Sequence, residues 1–90
     1  MKLKFIRNIQ FTKLVKVNGR LREFNFRKPN GSEESLFSVD TIDERGSRII
    51  FSMQHSDGSW KITQQTIPDW IMASESIFND IIVEELKEQH

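Results

Sequence analysis

The chain contains no cysteine and no tyrosine, only two prolines and only two histidines. Without cysteine, disulfides and thiolate metal sites are excluded, and the composition fits a reducing compartment. Apolar runs are short, such as Ile81-Ile82-Val83, so no segment reads as a membrane span. At the start, Met1-Lys2-Leu3-Lys4-Phe5-Ile6-Arg7 alternates charge with apolar residues, unlike the uninterrupted apolar stretch of a signal peptide. A cytoplasmic protein with no membrane partner is the expectation.

The scarcity of histidine limits chemistry as well. His90 is the last residue and His55 leads into a turn, so a histidine-based metal site or triad has little to draw on. His55-Ser56-Asp57 sets three catalytic residue types in a row, but neighbours on a strand end point in different directions, and a triad needs convergence. The carboxylates gather at Asp40, Asp43 and Glu44 and again at Glu84, Glu85 and Glu88. The first group surrounds a hairpin loop and the second the outer side of a helix, so both read as solvated surface. Gly31, Gly46 and Gly58 stand apart, without a phosphate-cradling pattern. No catalytic, cofactor-binding or metal-binding residue is assigned, no cofactor is expected, and an enzyme of unrecognised class is the minority alternative.

Ninety residues, with seven Phe and two Trp, suit a single domain over 1–90 with one compact core. Net charge is zero but unevenly spread: residues 1–28 hold nine Lys/Arg against Glu23 alone, and residues 69–90 hold Lys87 against six acids.

The sharpest local signal is Val17-Asn18-Gly19-Arg20, because Asn-Gly accepts the positive φ values of a two-residue hairpin turn. That turn sets 17 against 20, 15 against 22, 13 against 24 and 11 against 26. One face then carries Ile9, Phe11, Val15, Val17, Phe24 and Phe26, interrupted by Lys13, Arg20 and Arg22. The other carries Thr12, Leu14, Lys16, Leu21, Glu23, Asn25 and Arg27. The first strand is expected to extend before Ile9, with a kink near Arg7-Asn8. Pro29-Asn30-Gly31-Ser32 reads as a turn, Leu36–Ile42 as a third strand, 43–47 as a polar loop and Arg48–Gln54 as a fourth strand. Ser56-Asp57-Gly58-Ser59 is another turn, and a short fifth strand covers Trp60–Thr63. Connections this short predict a meander with antiparallel neighbours.

The period then changes from two to three and four. Trp70, Ile71, Ile77, Phe78, Ile81, Ile82 and Leu86 fall on one helical stripe. Thr66 and Asp69 resemble a capping box, Pro68 falls in the first turn, and Ser74 marks a possible break. The predicted fold is α+β: an antiparallel meander of about five strands with one C-terminal helix on its apolar face. Trp60 and Trp70 are both expected in the core.

Val17-Asn18-Gly19, Phe24, Phe26, Trp60-Lys61-Ile62, Ile67-Pro68-Asp69-Trp70 and Glu75 resemble a family of small, uncharacterised bacterial α+β proteins over about Val15 to Leu86. The resemblance implies a fold and a bacterial cytoplasm, but no reaction. The order of elements is also similar to the PUR repeat, a fold-level analogy with single-strand binders that assigns no contact residue.

A non-catalytic binding or assembly module is therefore the leading expectation, with a protein partner or a homo-oligomer, since a meander leaves free sheet edges. The alternative is a single-stranded nucleic-acid-binding domain using the basic hairpin, with Lys16, Arg20, Arg22, Arg27 and Lys28 as contact residues. Against it, the basic residues lack interleaved stacking aromatics, and edge protection or pairing with the acidic helix is the favoured account of them.

Overall fold

A computed structural model describes residues 9–28, 36–63 and 66–88. The expected kink at Arg7-Asn8 and the turn at 29–32 lie outside the described residues. Five strands form one sheet in the order of the chain: β1 (Ile9–Val17), β2 (Arg20–Lys28), β3 (Leu36–Ile42), β4 (Arg48–Ser56) and β5 (Ser59–Ile62). Each pairs antiparallel with the next. A short helix α1 (Asp69–Met72) and a longer helix α2 (Glu75–Glu88) follow, so the fold is α+β, a five-stranded meander closed by C-terminal helix.

Turn chemistry sets the register. Asn18 and Gly19 take φ of 51° and 80°, the left-handed pair a type I′ turn needs. From that turn the hairpin zips as its alternation requires, Val17 opposite Arg20 and Phe11 opposite Phe26. The two Phe rings stack with centroids 4.9 Å apart. Asp57 and Gly58 repeat the device between β4 and β5, at 53° and 84°. In the third connection Asp43 ties the loop, its Oδ1 accepting the N–H groups of Arg45 and Ser47.

The apolar face carries Phe24, Phe26, Phe37, Val39, Phe51, Met53 and Trp60, all buried. Phe78 of α2 closes it, with its ring 4.8 Å from Phe24, 5.7 Å from Phe51 and 6.1 Å from Phe26. Burying this aromatic cluster is the main source of stability, at roughly 25 cal/mol per Å² of apolar surface removed from water. Thr41 is buried among these residues because its hydroxyl donates to the Glu23 carbonyl at 2.7 Å.

The helical region departs from expectation at its N-cap and in the burial of Ile77 and Trp70. Pro68, not Thr66, occupies the N-cap of α1, and no side chain caps it. Pro68 is extended (φ −59°, ψ 148°) and offers its carbonyl to Ile71 N–H instead. The break marked at Ser74 is present: the helical region is interrupted at Ala73-Ser74, where the buried Ser74 hydroxyl donates back to the Trp70 carbonyl at 3.2 Å, a local bond that competes with the helical ladder. Because α2 restarts there, Ile77 turns away from the sheet and is 42% exposed, while Ile71, Phe78 and Ile82 are buried. Trp70, expected in the core, is only partly buried. Among the described residues, no helix is long and apolar enough to cross a membrane.

Candidate functional site

The five basic residues singled out in the hairpin do not share a surface. The β1–β2 register and the period of two put Arg20, Arg22 and Lys28 on the side of Phe24 and Phe26, and Lys16 and Arg27 on the opposite side. Lys16 lies near the turn and Arg27 near the far end of β2, six residues apart along the paired strands, a span of roughly 20 Å. What the hairpin does bring together is Arg20 and Arg22, at the turn end.

There a cleft of about 430 Å³ opens between the β1–β2 turn, the β3–β4 loop and the start of α1. Arg22 is its fixed wall. Its guanidinium lies 4.7 Å from the centre of the Trp70 ring, donates to Glu44 Oε1 at 3.1 Å and to the Ile42 carbonyl at 3.3 Å, and its side chain is 15% exposed. Cation–π contact and charge-assisted hydrogen bonding thus hold one arginine in place. Arg20 and Arg45 also line the cleft. Both are exposed, and neither makes an ion pair or side-chain hydrogen bond among the described residues. Neither Arg45 nor the rim position of Trp70 could be read from the sequence, since loop 43–47 carries no motif and the helical stripe assigns Trp70 to the core.

The remaining polar clusters have structural roles. Asp40 pairs with Arg48 at 2.7 Å, Asp43 ties its own loop, and Glu44 holds Arg22. His55 is exposed and rests on the Trp60 ring at 5.2 Å.

A second candidate is the pair of sheet edges, which differ in kind. In a two-residue hairpin the residues flanking the turn exchange both backbone hydrogen bonds, and the pattern then alternates. On β5 this directs the N–H groups of Trp60 and Ile62 outward. Both are taken up by α2: Trp60 N–H donates to Asn79 Oδ1 at 2.7 Å and Ile62 N–H to Glu75 Oε2 at 2.8 Å. On β1 the same rule turns the N–H and C=O groups of Gln10, Thr12, Leu14 and Lys16 outward, and no described residue takes them. Beside β1, on the covered side, runs a groove of about 510 Å³ between Lys13 and the α2 residues Ile77, Ile81 and Val83, rimmed by Asp80, Glu84 and Glu85. Lys13 reaches Glu85 at 3.6 Å across it. On the uncovered side Leu14, Leu21, Ile42 and Ile50 are 64%, 66%, 57% and 53% exposed.

No protein-family model matches the chain, and neither curated proteins nor solved structures include a match for it.

Proposed function

We propose that this chain is a non-catalytic assembly module that pairs with a second copy of itself through the open edge of β1. The observation that carries this reading is the asymmetry of the two edges: α2 satisfies the outward donors of β5, whereas along the nine-residue β1 no described residue takes the outward groups of Gln10, Thr12, Leu14 and Lys16. An edge of that length is a template for another strand. The groove beside it calls for apolar side chains with a positive charge, to meet Ile77, Ile81 and Val83 under an acidic rim. β1 itself has that chemistry on its covered side, with Phe11, Val15 and Val17 around Lys13. A two-fold axis at Thr12 or Leu14 sets Lys13 against Phe11 or Val15 of the second copy rather than against another lysine, and the contact closes on itself. The nucleic-acid alternative draws less support, because Lys16 and Arg27 lie on the other side of the hairpin from Arg20 and Arg22.

Proline substitution separates this edge from the fold. Thr12→Pro removes an N–H that points outward and leaves the β1–β2 ladder intact, a position where edge strands tolerate proline. Sedimentation velocity should show the parent as a dimer with a dissociation constant on the order of 10–100 μM, the range of small interfaces. Thr12→Pro should sediment as a folded monomer. A parent that stays monomeric at millimolar concentration, or a Thr12→Pro protein that dimerises equally well, would overturn the proposal.

A further inference from the structure

We infer that the cleft at the turn end of the hairpin is an anion site for a small diphosphate-bearing ligand, with Arg20 and Arg45 as its contacts and Arg22 as its fixed positive wall. This site is separate from the β1 edge and does not depend on self-association. The charges around the cleft show the asymmetry behind the assignment. The three arginines face two acids, Asp43 and Glu44. Asp43 is engaged by two backbone N–H groups of its own loop, and Glu44 by Arg22. Both acids are therefore engaged, and so is Arg22, whereas the guanidinium groups of Arg20 and Arg45 make no ion pair or hydrogen bond among the described residues. Two guanidinium groups without a side-chain partner line one concave surface, and an anion bound there would accept charge-assisted hydrogen bonds from both and offset their like charge.

Size and setting narrow the ligand class. About 430 Å³ falls in the range of small-molecule sites and exceeds what a single phosphate fills. Planar forks of donors match phosphate oxygens two at a time, so two arginines suit a diphosphate better than a lone carboxylate. Asn18 also lines the cleft, and a side-chain amide is a further donor suited to a phosphate oxygen. The backing is packed on both sides: the Arg22 guanidinium lies 4.7 Å from the centre of the Trp70 ring, and the Phe24 ring meets that indole in an edge arrangement at 6.4 Å. Trp70 thus stands beside the ligand position as a built-in reporter, whereas Trp60 is 4% exposed in the core.

The probes are inorganic pyrophosphate and ADP, with adenosine as the phosphate-free control, titrated into the intact chain at low salt by calorimetry and by tryptophan fluorescence. Saturable one-to-one binding of pyrophosphate is expected, with a dissociation constant on the order of 1 mM or tighter. The double variant Arg20→Ala/Arg45→Ala should weaken it about tenfold or more, the scale of losing charge-assisted hydrogen bonds. Lys16→Ala/Arg27→Ala, which removes the same charge from the other side of the hairpin, should leave it unchanged. Trp70→Phe should abolish the fluorescence change, because Trp60 is buried away from the cleft. ADP tighter than pyrophosphate identifies a nucleotide as the source of the diphosphate, and equal affinities identify a free polyphosphate. No saturation by either probe up to about 10 mM, far weaker than two guanidinium contacts provide, overturns the site. Equal losses in the two double variants do so too, because they would mean nonspecific charge attraction.

Discussion

At the scale of single residues, burial rather than position in the apolar pattern sets what each hairpin side chain contributes. Phe26 and Phe11 face each other and stack, but Phe26 is fully buried and Phe11, on the outer strand, only partly so. Phe26→Ala should therefore cost about 3–5 kcal/mol, as for other buried Phe truncations, and Phe11→Ala about half of that. Leu14→Ala and Leu21→Ala, on the uncovered face, should stay within about 0.5 kcal/mol. Urea denaturation of the four variants checks the ranking, and equal losses at Phe26 and Leu21 would mean that the register is shifted by one residue.

At the scale of elements, α2 does two jobs on the sheet. Phe78 plugs the aromatic face, and Asn79 and Glu75 cap the β5 edge. The capping role is separable from the packing role. Asn79→Ala and Glu75→Ala each strand a partly buried N–H, at a cost of about 1–3 kcal/mol. Glu75→Gln keeps an acceptor and should recover most of the loss. Native-state hydrogen exchange gives the local readout: the amides of Trp60 and Ile62 should be protected in the parent and exchange faster in the corresponding variant. Unchanged protection in both alanine variants would remove the cap from the account of why β5 is closed. The break at Ala73-Ser74 belongs to this scale too, since it aims Phe78 at the sheet while Ile77 turns outward.

At the scale of the molecule, the charge uneven along the chain offers a second route to association, head to tail, the basic N-terminal segment of one copy on the acidic C-terminal segment of the next. The two routes differ in closure and in salt dependence. A β1–β1 pair is held by backbone hydrogen bonds and apolar contact, so it should stop at two copies and persist at about 1 M salt, where screening acts over only about 3 Å. A head-to-tail contact need not close, and it should dissolve under those conditions. Scattering mass measured against concentration at low and high salt distinguishes them. Growth beyond the dimer at low salt that disappears at high salt would favour the charge-driven route over the strand pair.

Local chemistry decided much of this protein before any tertiary contact formed. Asn18-Gly19 and Asp57-Gly58 dictate tight turns, period two sorts the two sheet faces, and the change of period near Pro68 announces the helical region. All of that was legible in the sequence because each signal acts over a few residues, and the pairing of Phe11 with Phe26 follows by counting from the turn. Residues distant along the chain meet only after folding, and there sequence reading stopped. Arg22, Glu44, Arg45 and Trp70 meet only because the β3–β4 loop and the start of α1 converge on the hairpin turn. The register that was read correctly also divides the basic residues between two faces, so closeness in sequence did not make a stripe. Which sheet edge is capped was likewise decided by where α2 docks: Asn79 and Glu75 are ordinary helix-surface residues until their oxygens fall within reach of the N–H groups of Trp60 and Ile62.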